Sequence, residues 1–398
     1  MEAANQHNPT QTNHYDYIIT GAGCAGLSLL MRLIEDPFFS EKRILIIDAS
    51  PKQSNDRTWC FWEAGAGLFE PIVKHSWQQV QFASNDFSGL LQLHPYQYKM
   101  IEGIDFYQMV LNKAATFSNI QFLQETVLKI VDGASNITVT TASGDVKANF
   151  VFNSIPAFAS DKTVPGKKGQ YHLLQHFKGW VIETVEPVFD PAIATLMDFQ
   201  VDQSAGTTFM YVMPTSSTRA LVEYTLFTEA LLPEKAYGKA LRDYISEKLK
   251  IRQYQITHEE FGIIPMTNQP FSLQEGRLVQ MGGAGGQIKG SSGYAFQFIQ
   301  RRTTDIVAGL KNGHSYFNHK GFKQISGEFY DTVLLNVLVK RKMNGDQIFS
   351  QIFEKNPPAS VLRFLDNESS FVEDLKIMNS VPTRIFFLQP YKNCCVKY

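Results

Sequence analysis

The sequence predicts an α/β fold in which a doubly wound parallel sheet is joined to an antiparallel-sheet domain and a helical C-terminal part. Three observations lead to this prediction. A strand, a glycine-rich turn and a helix open the chain; β-branched and aromatic residues dominate between residues 180 and 228; and helical periodicity prevails from about Ala295 to Ile385. With 398 residues, the chain is long enough for two intimately joined domains.

The N-terminal segment has the pattern of one βαβ unit. The apolar run Tyr15 to Thr20 predicts a strand, and Leu27 to Glu35 carries Leu and Met at helical spacing that ends before Pro37. The run Arg43 to Asp48 is apolar and β-branched, as buried parallel strands are. The aromatic segment Asp56 to Trp62 is predicted to be irregular.

The later elements follow from the same two periodicities. Helices are predicted over Asp105 to Ser118 and Pro233 to Lys250, and the helical C-terminal part is predicted to break near Pro357. The predicted strands are Ile120 to Ile130, Ile137 to Thr141, Phe150 to Asn153, the antiparallel hairpin of Thr207 to Pro214 with Ala220 to Phe227, and Arg277 to Gln280.

A G-x-G-x-x-G motif, formed by Gly21, Gly23 and Gly26, lies between the first predicted strand and helix. The glycines permit a tight turn, a close approach of backbone to phosphate, and close packing of the helix on the strand. Asp48, at the end of the next strand, is placed to accept hydrogen bonds from ribose hydroxyls. A glycine-rich turn also arises by chance, but strand, helix and Asp48 together favour a dinucleotide site for NAD(P) or FAD.

A second glycine-rich segment, Met281 to Tyr294, favours FAD over NAD(P). A dehydrogenase needs only the first junction, whereas a flavoprotein uses a second one to bring backbone N–H groups to the middle of an extended FAD. A mobile surface loop is the alternative. Many FAD enzymes have Gly-Asp at this strand end, and the pair Gly282-Gly283 departs from that pattern. The predicted cofactor-binding glycines here are Gly282, Gly283, Gly286 and Gly293.

Glu223 is the candidate catalytic acid, because it lies in the otherwise apolar run ALVEYTLF. It is either an outward residue of a half-exposed strand or a carboxyl group in a hydrophobic cleft. In a cleft, desolvation would raise its pKa and let it hold a proton at neutral pH, as a general acid must. His172 and His176 would share a helix face, but no third ligand accompanies them, so we predict no metal site.

Composition limits the partners. A net charge of -1 argues against nucleic acid as a ligand. The 13% of aromatic residues fit either a large core or an apolar tunnel or membrane-contacting surface. No run reaches the roughly 18 apolar residues of a membrane-spanning helix, and the polar first 14 residues predict a disordered tail rather than a secretory signal. Four cysteines predict no disulfide framework, and we expect a cytoplasmic protein.

Several segments together resemble the FAD-dependent lycopene cyclases of carotenoid biosynthesis, of the bacterial and plant β-cyclase type. They span nearly the whole chain: YDYIITGAGCAGLSLLMRL, DRTWCFWE, LMDF, FMYVMP, ALVEYTLF, GIIPM, GGAGGQIKGSSGY and RFLDNES. RTWCFW and FMYVMP with LVEYT are the most specific of them. The resemblance implies a flavin hydroxylase-like fold and adds Arg57, of the RTWCFW segment, to the predicted cofactor-binding residues.

The resemblance also implies a reaction without net redox change. The terminal double bond of lycopene is protonated, an internal alkene attacks the tertiary cation, and proton loss gives a β-ring, so that lycopene becomes β-carotene through γ-carotene. FAD is implied in its reduced form, made with NAD(P)H, and its anionic ring is expected to stabilise the cation. The acid of the family's motif falls on Glu223, as proton donor or as a carboxylate that stabilises the cation.

Two departures from the family pattern bear on this expectation. Many relatives have two successive acids before the threonine, whereas Tyr224 follows Glu223 here, which puts a mechanism with a paired carboxylate in question. A Pro-Ser/Thr-Thr-Gly stretch is replaced by Gly290-Ser291-Ser292-Gly293, so that the loop near the flavin differs. The alternatives are a flavin-dependent monooxygenase or polyprenyl reductase acting on an apolar substrate, and a non-catalytic prenyl-lipid-binding escort protein.

The predicted organisation has four parts. They are a tail over 1–14, an FAD-binding domain over 15–60, 101–160 and 260–315, a substrate domain over 61–100 and 161–259, and a helical part over 316–398. Because lycopene is wholly apolar, the aromatic excess then predicts an aromatic-lined tunnel from a membrane-facing mouth to the flavin. The expected partners are lycopene and a membrane surface, with the protein peripherally associated.

Overall fold

The computed structural model describes residues 13–156, 169–317 and 321–387. Within these ranges, the strands are β1 His14–Thr20, β2 Ile44–Asp48, β3 Thr58–Glu63, β4 His75–Trp77, β5 Gln79–Ala83, β6 Ser88–Gln92, β7 Gln97–Glu102, β8 Ile120–Gln124, β9 Lys129–Asp132, β10 Ile137–Thr141, β11 Gly144–Asn153, β12 His172–Glu183, β13 Ile193–Asp198, β14 Thr207–Pro214, β15 Arg219–Thr228, β16 Gln255–Thr267, β17 Gln274–Glu275 and β18 Leu278–Gln280. The α-helices are α1 Cys24–Glu35, α2 Gly103–Ala114, α3 Glu234–Asp243, α4 Phe296–Lys311, α5 Phe322–Val339, α6 Gly345–Lys355, α7 Pro358–Leu365, α8 Phe371–Ser380 and α9 Thr383–Phe387.

The first sheet contains the N-terminal βαβ unit. Its order is β17-β18-β11-β1-β2-β8, with β10 paired to β11 and β9 paired to β10. Strand β1 is parallel to β2 on one side and to β11 on the other. Ile19 packs with α1, α2 and α4, while Ile18 packs with Ile137 of β10 on the opposite face. Both faces are covered, which explains why β1 and β2 are apolar throughout.

The second sheet is mainly antiparallel, in the order β16-β12-β15-β14-β13-β5-β6. Its β14–β15 pair confirms the predicted hairpin. One face is covered by α3, through contacts among Trp180, Tyr224 and Tyr237. The other face packs on the C-terminal helices, where Leu221 and Phe349 join one buried cluster. The α/β class and the helical C-terminal part are therefore as predicted.

Some predicted elements were wrong or imprecise. The segment Asp56 to Trp62 is not irregular, because β3 pairs antiparallel with β7 in a small sheet that also includes β4. The segment Ile120 to Ile130 divides into β8 and β9, and β11 begins six residues before the predicted Phe150. The bounds of these strands depend on pairing with strands that are distant in the sequence. The predicted helix after Pro233 is α-helical to Asp243 and continues as a π-helix over Tyr244–Lys248.

Three predicted boundaries between the FAD-binding and substrate domains fall inside strands. The boundary at residue 260 lies within β16, which pairs with β12 from Gln255 to Thr267 in the second sheet. The boundaries at residues 60 and 100 lie within β3 and β7. Of the predicted tail, residues 1–12 lie outside the described residues and His14 begins β1; Cys394 and Cys395 also lie outside them. None of the helices in the described ranges is long and apolar enough to cross a membrane.

Candidate active site

A cavity of about 1440 Å³ is lined by residues of both large sheets. Single small-molecule sites are typically ~300–1,000 Å³, so this cavity has room for a dinucleotide together with a second ligand. Most of the predicted site residues line it: Gly21, Gly23, Asp48, Arg57, Gly282, Gly283, Gly293 and Glu223. The fold thus brings together residues that are up to 272 positions apart, from Gly21 to Gly293.

The first glycine motif forms the turn between β1 and α1. A Cβ atom on Gly26 would lie 1.9 Å from the carbonyl oxygen of Gly21, so no side chain fits there and α1 packs directly on the turn. Gly26 therefore supports the turn from behind rather than lining the cavity. Gly23 is the N-cap of α1 and supplies no side-chain cap, which leaves N–H groups of the first turn available to an anionic ligand.

Asp48 holds this turn in place as well as lining the cavity. Its Oδ2 accepts a hydrogen bond of 2.6 Å from the Ala22 N–H, and its Oδ1 accepts one of 2.8 Å from the Ser50 N–H. Lys52 Nζ lies 3.3 Å from Oδ2. The sequence motif predicts a ribose contact for this residue; the hydrogen bond to the glycine turn is a second function that only the structure reveals.

The second glycine-rich segment reaches the same cavity through Gly282, Gly283 and Gly293. Gly286 does not line the cavity, because it packs against Phe271, whose ring a Cβ atom would meet at 2.6 Å. The segment that departs from the family pattern is anchored by a buried ion pair of 2.8 Å between Lys289 and Asp331 of α5. The C-terminal helices therefore help to fix the loop.

Glu223 lies in a buried cleft and not on an exposed strand face. It projects from β15 beside Tyr211 of β14, lines the cavity and is 8% exposed. Its Oε1 accepts a hydrogen bond of 2.7 Å from Thr225 Oγ1. Burial, reinforced by the nearby carboxyl group of Glu260, raises the pKa of Glu223 well above its ordinary value. A carboxyl whose pKa is raised in this way holds its proton to higher pH than an exposed carboxyl does, as a general acid requires.

Glu260 is a second buried carboxyl that sequence reasoning missed. It lies on β16, and Thr58 of the RTWCFW segment donates hydrogen bonds to it from its hydroxyl and backbone N–H. Burial is the main cause that raises its pKa to about 7. One signal was present in the sequence, since Glu260 lies two residues before Gly262, the first residue of the resembling segment GIIPM. No residue near Glu260 in the sequence indicates that its carboxyl group lies close to Glu223 of β15.

Aromatic rings surround the acid. Tyr98, Tyr211 and Tyr294 line the cavity, and the Tyr211 and Tyr294 hydroxyl oxygens are 3.4 Å apart. Burial raises the pKa of all three phenols, so their rings are neutral. The other aromatic residues of the lining are Trp59, Tyr171, Phe177 and Phe296. Many of the remaining rings lie in the buried cores, so the aromatic residues of the chain both fill the cores and line the cavity.

His172 and His176 lie on strand β12, not on a helix. His176 is fully buried, with Nε2 at 2.6 Å from Thr228 Oγ1 and Nδ1 at 2.7 Å from the Tyr237 hydroxyl. Both ring nitrogens are therefore engaged in hydrogen bonds, one to the neighbouring strand β15 and one to α3. Among the described residues, no group of three or more His, Cys, Asp or Glu side chains is arranged to hold a metal ion.

Comparisons with known proteins give a match over most of the chain. Residues 16–389 match the family model described as lycopene cyclase protein. The chain is 26% identical over 301 residues to the lycopene beta-cyclase of Pantoea ananas, with 71% of each chain covered. It is 23% identical over 399 residues to the lycopene beta-cyclase of Paracoccus sp. (strain N81106 / MBIC 01143), covering 92% of this chain and 94% of that protein.

Solved structures establish the fold. A geranylgeranyl bacteriochlorophyll reductase-like protein from Thermoplasma acidophilum matches with a TM-score of 0.63 at 12% identity, covering 94% of this chain and 98% of that one. The p-nitrophenol 4-monooxygenase PnpA from Pseudomonas putida DLL-E4 matches with a TM-score of 0.55 at 14% identity, covering 93% and 96%. At these identities the likeness concerns the fold alone, and it confirms the predicted flavin hydroxylase-like architecture.

Proposed function

The chain belongs to the lycopene cyclase family, and on that premise we propose that it is a lycopene β-cyclase that converts the linear ends of lycopene to β-rings, giving β-carotene through γ-carotene. The observation that carries this proposal is the position of Glu223. It is a buried carboxyl with a raised pKa, in an aromatic-lined cavity that also reaches the predicted dinucleotide site. The two relatives named lycopene beta-cyclase support the choice of product.

In this proposal Glu223 supplies the proton that starts cyclisation. The proton adds to the terminal double bond of lycopene and leaves a tertiary cation, which an internal double bond attacks to close the ring. Loss of a proton from the closed ring then forms the ring double bond. One proton enters the substrate and one leaves it, so the step is an isomerisation and consumes no electrons.

The rings of Tyr98, Tyr211 and Tyr294 are proposed to shield the cation from water. A ring face within reach of a cation stabilises it by ~0.5–2 kcal/mol. Because burial keeps these phenols neutral, they contribute ring electrons without taking up the proton that Glu223 must deliver.

The residues of the glycine-rich turns fit FAD. Gly21, Gly23, Asp48 and Arg57 would hold its adenosine diphosphate half, and Gly282, Gly283 and Gly293 would approach its middle. The absence of room for a Cβ atom at Gly26, which keeps α1 close to the turn, supports this assignment. When bound and reduced with NAD(P)H, FAD would supply negative charge that stabilises the cation. Gly286 is not among the residues proposed to contact FAD, because it packs against Phe271.

We also propose that the protein takes lycopene from a membrane surface while remaining a peripheral protein on the cytoplasmic side. Leu231 and Ile263 line the cavity yet are 44% and 47% exposed, and Phe261, two residues before Ile263 on β16, is 50% exposed. Such an apolar rim fits contact with lipid. Leu231→Glu with Ile263→Glu should reduce co-sedimentation with liposomes; unchanged co-sedimentation would contradict this placement.

The activity test uses purified, FAD-loaded protein without oxygen. With reduced FAD and lycopene it should form cyclic product without stoichiometric loss of NAD(P)H. Consumption of one NADPH per product would instead indicate a polyprenyl reductase, and a requirement for oxygen would indicate a monooxygenase. A purified protein unable to bind flavin would favour the escort-protein alternative. Glu223→Gln should bind FAD normally but form no cyclic product, and an active Glu223→Gln protein would exclude Glu223 as the acid.

A further inference from the structure

Glu223 and Glu260 lie opposite the same residue of the strand between them. In the pairing of β12 with β15, Gly179 is opposite Glu223, and in the pairing of β12 with β16, Gly179 is opposite Glu260. Residues that are directly opposite in neighbouring strands project from the same face of a sheet. Both carboxyl groups therefore project from the cavity face, on either side of Gly179.

The glycine between them leaves the space that Glu260 needs to reach across. A Cβ atom on Gly179 would lie 2.9 Å from Glu260 Cγ and 3.1 Å from Glu260 Oε1. The side chain of Glu260 thus occupies the position that any larger residue at 179 would fill. Its length and direction carry its carboxyl group over β12 towards Glu223.

The contacts of Glu260 leave one of its carboxyl oxygens to interact with Glu223. Thr58 donates to the carboxyl group, whereas Oε2 is buried and receives no hydrogen bond from other N–H or O–H donors of the described residues. A buried carboxyl oxygen without a donor is costly. A proton held between the two carboxyl groups would provide the missing hydrogen bond.

The other titratable groups around the pair are also acids. Cys60 of β3, Tyr98 of β7 and Tyr211 of β14 interact electrostatically with Glu223, and Glu102 of β7 interacts with Glu260. Glu102 is itself paired with Lys74 at 3.2 Å. Among these groups, the Glu102 carboxyl raises the pKa of Glu260, whereas the thiol and the two phenols are uncharged and supply no positive charge to stabilise a second carboxylate in the cleft.

We propose that Glu260 is a positioning residue that shares one proton with Glu223, so that the catalytic carboxyl is protonated when substrate binds and recovers its proton after ring closure. This inference rests on the proposed role of Glu223 as proton donor. Donation to the terminal double bond of the substrate leaves two adjacent carboxylates. Their repulsion favours recapture of the proton that the closed ring releases, so each cycle returns the pair to its starting state without an external acid or base. Two carboxyl groups that share a proton behave in this way in other enzymes.

A substrate-free experiment tests the pair directly. The carbonyl stretching band of a protonated carboxylic acid is followed by infrared spectroscopy as the pH is raised. The wild-type protein should keep this band above neutral pH, and Glu260→Gln should move its disappearance to lower pH by about one unit or more, because the neighbouring negative charge is removed. Glu259→Gln is the matched control, since Glu259 pairs with Lys178 at 2.9 Å and its side chain is 52% exposed.

Gly179→Ala provides a second variant that keeps both acids. The added methyl group should separate them and move the band in the same direction as Glu260→Gln, while flavin absorbance verifies that the protein still binds FAD. The alkaline limb of the cyclisation rate should move with the band in both variants. If the infrared band of Glu260→Gln and of Gly179→Ala titrates like that of the wild type, the shared proton is refuted. A wild-type protein that forms no cyclic product would instead refute the proposed function, and the infrared result would still show whether Glu223 and Glu260 share a proton.

Discussion

Glu223 and Tyr224 are neighbours in β15 but lie on opposite faces of the second sheet. Glu223 faces the cavity, whereas Tyr224 packs with Trp180 and with Tyr237 of α3 behind the sheet. An acid at position 224 would point away from the cavity. Tyr224 therefore adds no group to the cavity face, and the second carboxyl on that face comes from Glu260.

Tyr224→Phe should leave cyclisation unchanged. The hydroxyl of Tyr224 contacts Thr208 behind the sheet, so its removal should cost only about 0.5–1.5 kcal/mol of the free energy of unfolding. Tyr224→Glu, in contrast, would bury a carboxyl in an apolar core and should destabilise the protein by several kcal/mol. Urea unfolding and product chromatography measure the two effects. A folded Tyr224→Phe protein without activity would show that Tyr224 takes part in the reaction.

Thr225→Val should move the alkaline limb of the cyclisation rate to higher pH. The hydroxyl of Thr225 donates to Glu223 and favours its ionised form, so the loss of this hydrogen bond raises the pKa of the acid further. Hydrogen bonds to charged groups contribute about 1.5–3 kcal/mol, which corresponds to a shift of about one pH unit or more. Thr225→Ser keeps the donor and should retain the wild-type profile. A shift to lower pH in Thr225→Val would contradict the assignment.

The free energy of unfolding should fall as the pH rises from about 5 to about 8. Glu260 has a folded-state pKa of about 7, above that of a glutamate in an unfolded chain, so the native state binds more protons in this window and its stability is lost as Glu260 dissociates. The pKa of Glu223 is raised in the same direction. With a pKa raised to about 7, Glu260 accounts for a loss on the order of 2–3 kcal/mol. Asp366, whose pKa burial also raises to about 7, acts in the same direction.

Urea unfolding of Glu260→Gln and of the wild type at both pH values measures how much of this loss of stability comes from Glu260. The variant should lose less stability than the wild type between these two pH values, because an amide does not titrate. Equal losses in the two proteins would show that Glu260 is already ionised at the lower pH.

Gly26→Ala should abolish FAD binding and destabilise the protein. The new Cβ atom would overlap the Gly21 carbonyl oxygen, which forces α1 away from the turn at a cost of about 1–3 kcal/mol or more. Gly23→Ala is the contrasting variant, because a Cβ atom there meets nothing within 4 Å. It should keep the stability of the flavin-free protein and weaken only FAD binding, through the closer approach that glycine allows. Flavin titration and thermal unfolding separate the two, and normal FAD affinity in Gly26→Ala would count against the assigned packing.

Local patterns in the sequence were enough to predict the parts of the site that depend on neighbouring residues. The glycine spacing, the apolar strands around it and Asp48 predicted the turn that the structure shows, and the alternation in β14 and β15 predicted the hairpin that carries Glu223. These features are local because a turn or a hairpin is closed by residues a few positions apart.

Only the tertiary structure decided which residues meet Glu223. Glu260 lies 37 positions further along the chain, beyond α3, and reaches Glu223 because β15 and β16 both pair with β12 around Gly179. Thr58 reaches the same carboxyl pair from β3. Hydrophobic periodicity indicates which face of a strand is buried, but not which distant strand will lie beside it. Sequence alone therefore predicted Glu223 as the candidate acid, and the non-local strand order brought Glu260 beside it.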